Sequence, residues 1–370
     1  MAGRMKHRTA FVLQGGGALG AYQAGAACRL AEAGVLPDLV AGISIGAINA
    51  ALIAGNPPER RADRLTRFWG RATSATGWPG LSALGTGLAL TAGAPGFFAP
   101  RFPPAPFALA GDPTRASYYD TAPLRRTLED LVDFDLLNDG PVRLVVGATC
   151  VATGNFIWFD SAEQRIGPEH IMASGALPPG FAAVEIDGQF YWDGGLVSNT
   201  PLARVIETRA DPAPLVIWQV DLFSARGPVP HSVWQIEARE KDIRFSSRTR
   251  AITNRMRATH DLAAALQAHV ADLPEALKAD PAIAPLLAAQ ANGPVTLIHL
   301  IYRAKPYETG AKDYDFSHAA MQAHWHAGAA DVVRCLTHPA MKAHDTAVAG
   351  MRILDLTDDA DPKEKRDDRG

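Results

Sequence analysis

Between residues 9 and 54 the chain twice repeats one pattern: a short apolar run, a glycine-framed turn, then a longer stretch of small and apolar residues. Residues 9–14 (TAFVLQ) and 38–41 (DLVA) have the length of buried strands. Helices are expected over 19–33, stopped by Gly34, and over 47–54. Strand, glycine turn and helix, repeated in series, predict an α/β fold with parallel strands.

Farther on the pattern varies. Residues 124–132 form an amphipathic helix, and 142–150 and 155–159 read as neighbouring strands. A short helix is expected near 169–175. Residues 183–186 and 189–192 flank Asp187-Gly188, a hairpin signal that delivers Asp193 at its far end. Residues 215–222 (LVIWQVDL) are another buried strand. Residues 233–270 read as a long helical stretch broken near Ser246-Ser247, 295–303 as a strand extending the main sheet, and 316–336 as a helix. Residues 71–117 depart from all this: glycine, proline and alanine dominate, with scattered Trp78, Phe97, Phe98, Phe102 and Phe107. Short helices and loops are expected there rather than sheet, forming either a lid over a binding site or a cap packed on its own small core. The chain has no internal repeat.

Composition narrows the picture. The 370 residues are 47% hydrophobic and 20% charged, enough for one large domain with an appended part, and the net charge of −3 offers nothing to nucleic acid. Cys28, Cys150 and Cys335 are few, distant and odd in number, which points to a reducing, cytoplasmic compartment. The basic start, residues 1–8, leads into a strand rather than a signal-peptide core, and no apolar run reaches membrane-spanning length.

Three glycine-framed motifs carry the chemistry. Gly42-Ile43-Ser44-Ile45-Gly46 places a serine at a strand-to-helix junction, where flanking glycines clear space for a substrate and the helix N-terminus favours a developing anion. Its bland counterpart is a tight turn whose serine caps the helix. Gly15, Gly16, Gly17, Ala18 and Gly20 follow a strand and open a helix, so their amides can converge on an oxyanion. The same run fits a dinucleotide fingerprint, but that reading expects an acidic residue after the second strand, where Ala41 runs into Gly42. Asp193, followed by Gly194 and Gly195, offers a carboxylate base to a serine that is weak alone. None of the eleven histidines sits in a recognisable motif. His231, His260, His299 and His318 are candidates by position only, and His324-Trp325-His326 looks like a metal pair without a carboxylate at ligand spacing. Residues 237–257 are rich in arginine and lysine, fitting either a solvated helix face or contact with anionic head groups.

Taken together these motifs resemble the patatin-like phospholipase family. Residues 172–179 (MASGALPP) and 193–201 (DGGLVSNTP) add to the likeness, which covers roughly 9–204. The resemblance implies a three-layer α/β/α fold with a mainly parallel central sheet. It implies a Ser44/Asp193 dyad without histidine, and an oxyanion hole from the amides around Gly16, Gly17 and Ala18. One departure is Leu19, at a motif position where many members carry Arg or Lys. The region beyond about 228 is similar to an extension of some bacterial members, to which the resemblance assigns no role. The expected layout is a catalytic domain over 9–228 with the 71–117 insertion, a mostly helical extension over 229–356, and a disordered charged tail over 357–370. The expected function is hydrolysis of carboxylic esters in lipids through an acyl-enzyme, without metal or cofactor, with contact at a lipid or membrane surface. Acyl transfer by the same dyad, lipid binding without turnover and dinucleotide binding are the alternatives.

Overall fold

The protein is described here by a computed structural model covering residues 7–73, 91–105, 111–209, 213–246, 249–283, 293–303, 312–342, 346 and 350–356. In chain order it runs β1 (Arg8–Leu13), α1 (Gly20–Glu32), β2 (Leu39–Gly42), α2 (Ile45–Ala54), α3 (Pro58–Ala72), β3 (Ala99–Pro100), β4 (Tyr119–Asp120), α4 (Ala122–Leu131) and α5 (Phe134–Asp139). It continues with β5 (Arg143–Cys150), β6 (Phe156–Asp160), α6 (Pro168–Ser174), β7 (Val184–Ile186), β8 (Gln189–Asp193), α7 (Leu202–Glu207) and β9 (Leu215–Asp221). The last third supplies α8 (Val233–Phe245), α9 (Thr249–His269), β10 (Val295–Ile301), α10 (His318–Thr337) and β11 (Met351–Asp355), with short helical turns between them.

Among the described residues nine strands form one sheet in the order β11-β10-β9-β1-β2-β5-β8-β7, with β6 on the other edge of β5. The five strands from β11 to β2, and β5 beside them, are parallel; β6, β7 and β8 are antiparallel additions. Alternation within β1 shows the layering. Phe11 and Leu13 face a core shared with α1, α2, α3 and α10, while Ala10 and Val12 face one shared with α7 and α9. That makes three layers, α/β/α, as the repeated βα pattern predicts.

Two features of the sheet position chemistry. β2 ends at Gly42 beside Val146, and β8 takes over the same edge of β5, pairing Asp193 with Ala148. One edge of β5 therefore lines up the end of β2 with the end of β8. The hairpin turn before β8 is the predicted one, with both Asp187 and Gly188 at positive φ.

Three elements differ from expectation. α3 buries a stripe of Leu65, Phe68, Trp69 and Ala72, too narrow among its charged neighbours to stand out from sequence. In the 71–117 segment β3 and β4 pair, and Phe97 and Phe98 join the main core instead of a core of their own; 74–90 and 106–110 lie outside the described residues. The C-terminal region is more than a helical appendage. It places β10, as expected, and also β11 in the central sheet, and packs α10 on α1. There the backbones nearly touch: a Cβ on Gly25 would overlap the Trp325 carbonyl, and one on Gly328 the Tyr22 carbonyl. Tyr22 donates a 2.7 Å hydrogen bond to Asp331 across the same contact. The expected helix break holds, since α8 stops at Phe245 and α9 begins at Thr249. The 357–370 tail lies outside the described residues. Among the described residues no helix is long and apolar enough to cross a membrane.

Candidate active site

Ser44 stands between β2 and α2 with φ 56° and ψ −124°, a conformation that costs a non-glycine residue on the order of 1–3 kcal/mol. Its surroundings enforce that turn. A Cβ on Gly42 would overlap the Gly46 carbonyl, and one on Gly46 would overlap the Leu13 carbonyl, so the elbow can only close through glycine. The Ser44 N–H donates to Ser174 Oγ at 3.0 Å, and Ser174 donates in turn to the Gly147 carbonyl at 2.7 Å. A backbone amide that helix geometry would leave open is thereby satisfied from β5 and α6. The Ser44 side chain makes no cap to α2, which removes the reading of a mere capping serine.

Asp193 ends β8 almost fully buried, at 2% exposure. Its carboxylate accepts from the Gly195 N–H at 2.7 Å, and it lines the same cavity as Ser44. Thr149 donates to its carbonyl at 3.0 Å. Gly194 sits against the Gly147 carbonyl, where a Cβ would come within 2.6 Å, so the chain can leave the strand only without a side chain there. Burial raises the Asp193 carboxyl to about 6, against the lowering pull of the neighbouring Ser44 hydroxyl and the Gly195 N–H. A carboxylate so placed is ionised near neutral pH and is a better proton acceptor than a free one.

The glycine run wraps beneath Ser44. Gly15 donates its N–H to the Asn199 carbonyl at 3.4 Å, and Gly20, opening α1, donates back to the carbonyls of Gly17 and Ala18. A 3-10 turn over Gly17–Leu19 follows, with Gly16 as its N-cap and Ala18 buried within it. Leu19 is fully buried and belongs to the hydrophobic core.

These groups meet in one cavity of about 160 Å³. Gly15, Gly16, Gly17, Ser44, Asp193 and Gly195 line it together with aromatic side chains from three regions: Phe97 and Phe98, Phe181, and Phe223, Phe245 and Phe316. No histidine is among its described lining residues. His324 is buried edge-on to Tyr302 at 5.1 Å while His326 is exposed, so that pair has no common target. The basic stretch on α8 is largely internally paired: Arg244 with Glu240, Lys241 with Asp313, and Arg239 with the carbonyls of Ser224 and Ala225.

Several site residues carry no signal of their own in the sequence. Ser174 and Asn199 fall inside segments that resemble the family, but nothing local assigns them a partner. Asn199 donates to the Gly15 carbonyl at 3.1 Å and to the Phe245 carbonyl at 3.0 Å. Gln14 donates to the same Phe245 carbonyl at 3.1 Å, and its Oε1 accepts from Leu222 and Phe223. Asp313 and Tyr314 reach the cavity from near the far end of the chain, where no motif marks them.

Set beside known proteins, residues 11–206 match the family model described as patatin-like phospholipase, and 243–347 match one described as patatin phospholipase. No curated protein matches. Among solved structures, the crystal structure of VipD from Legionella pneumophila aligns with 87% of this chain and 67% of its own, at 14% identity and a TM-score of 0.35.

Proposed function

The chain belongs to the patatin-like phospholipase family, and from that premise we propose that it hydrolyses carboxylic esters of lipids, with Ser44 as nucleophile and Asp193 as base. The observation that carries this reading is that Ser44, in its strained turn, and the buried Asp193 carboxylate line one cavity together with the glycine run. Asp193 accepts the hydroxyl proton as Ser44 Oγ attacks the acyl carbonyl. The oxyanion of the tetrahedral intermediate lies on the amides of Gly16, Gly17 and Ala18, each such donor contributing roughly 2.7–4 kcal/mol to the transition state. Collapse breaks the ester C–O bond, and the leaving alcohol takes the proton from Asp193. Water then attacks the acyl-enzyme, again losing its proton to Asp193, and the fatty acid departs as Ser44 regains a proton.

The strained turn and the position of Asp193 in line with β2 let one carboxylate serve both half-reactions without an imidazole between. No step calls for a metal or a cofactor. We place the substrate at a lipid surface: Phe102, Val229, Val233 and Trp234 are all strongly exposed apolar side chains.

Product analysis on phospholipid and glyceride vesicles, with and without an added alcohol acceptor, tests this. Free fatty acid released at a rate independent of acceptor supports hydrolysis. A transferred acyl product would assign the same dyad to an acyltransferase. Ser44→Ala should lower the rate by at least about 10³-fold, and full activity in that variant would overturn the proposal.

A further inference from the structure

The C-terminal region closes the catalytic cavity, although nothing in the motifs gives it a role. Its segment from Lys312 to Phe316 lies against the glycine run, so closely that a Cβ on Gly17 would overlap the Asp313 carbonyl. Two ion pairs fasten the segment to α8, and they cross. Lys241 meets Asp313 at 2.5 Å, and the next residue on each side meets with reversed sign, Lys312 with Asp242 at 2.7 Å. All four side chains are 80% or more shielded, with exposures of 20% and 11% in one pair and 5% and 16% in the other. The Lys241 ammonium also lies 4.5 Å above the Tyr314 ring.

α8 is itself anchored to the catalytic layer. The carbonyl of its last residue, Phe245, accepts from both Gln14 and Asn199, and the latter also holds Gly15. Positions are thereby passed from the glycine run through α8 to the Lys312–Phe316 segment. At its end the Phe316 ring, 3% exposed, contacts Phe97 at 5.6 Å and Phe98 at 5.9 Å and so completes the aromatic end of the cavity.

We infer that this segment is the specificity wall of the site: Phe316 and Tyr314 set the size of the acyl group admitted, and the crossed ion pairs hold them in place. The inference rests on the hydrolase reading and adds a role for the C-terminal region. It does not require the segment to move.

The test is a series of p-nitrophenyl esters, from acetate to palmitate, with the wild-type protein, Phe316→Ala, Phe316→Leu and Tyr314→Ala. The expected result is a gain of roughly tenfold or more in the ratio of long-chain to short-chain kcat/KM, the discrimination that one or two methylenes carry in an apolar pocket. The ratio is the readout, so a uniform change across the ester series counts against the inference. Asp313→Lys should disturb the profile, and adding Lys241→Asp should return it toward wild type. If Phe316→Ala does not fold, Phe316→Leu and Tyr314→Ala carry the test, the second at a site already 39% exposed. An unmoved chain-length profile in folded, active variants overturns the inference and leaves the hydrolase reading standing. A wild-type protein that hydrolyses none of the esters overturns that reading first.

Discussion

Ser44 and its glycines are held by backbone, whereas the wall across the cavity is held by side chains. At the elbow Gly42 and Gly46, and at the end of β8 Gly194, are packed so tightly against carbonyl groups that a single methyl has no place. At the wall, Lys241, Asp242, Lys312 and Asp313 hold by charge, over an aromatic cluster that can be repacked. The contrast teaches where tolerance lies. The chemistry depends on contacts that admit no substitution, and the dimensions of the substrate space depend on contacts that can be exchanged pairwise.

The sharpest way to break the comparison is Gly46→Ala. Its new Cβ would meet backbone on β1 that cannot yield, so the expected cost exceeds about 4 kcal/mol, or folded protein is lost outright. Urea unfolding measures it, and a nearly neutral result would show that the elbow is softer than its geometry. Lys312→Met comes next. It leaves Asp242 shielded without its partner, for a loss of about 3 kcal/mol or more, while the double variant Lys312→Met/Asp242→Leu should recover most of it. Recovery is what distinguishes an exchangeable contact from a rigid one.

A smaller effect is expected in pH dependence. Asp193 must be ionised to accept a proton, so kcat/KM should rise with pH through about 6. Its folded pKa lies above the ordinary carboxylate value, so its contribution to stability is fully present below about 3.9 and is lost as pH rises through about 6. Asp193→Asn should therefore gain on the wild type above pH 6, by on the order of 2 kcal/mol, while losing activity. Equal stability curves for the two proteins would show that the carboxylate is better solvated than its burial implies. The smallest effect is a control. Gly70, inside α3, has open space around it, so Gly70→Ala should stabilise by about 0.5–1 kcal/mol.

The same contrast governs what could be read from sequence. Ser44, Asp193 and the glycine run were legible because each is a local event: a strand, a residue type and a turn, within a few positions. The sheet was legible in its N-terminal βα units for the same reason, as was β10 from its apolar run. α3 hid because its buried stripe is narrow within a strongly charged helix. Ser174, Gln14 and Asn199 were illegible as partners because a hydrogen bond from Asn199 to Phe245 joins residues that no spacing relates. Lys241 lies in a stretch that fits a solvated helix face and Lys312 in no motif at all, and only the fold brings each to its carboxylate.

The central claim is that Ser44 is activated by Asp193, and fluorophosphonate labelling mapped by mass spectrometry tests it most directly. The account predicts modification at Ser44 in the wild-type protein and its collapse in folded Asp193→Asn. Labelling that persists undiminished in that variant, or none at Ser44 in folded wild-type protein, would contradict it.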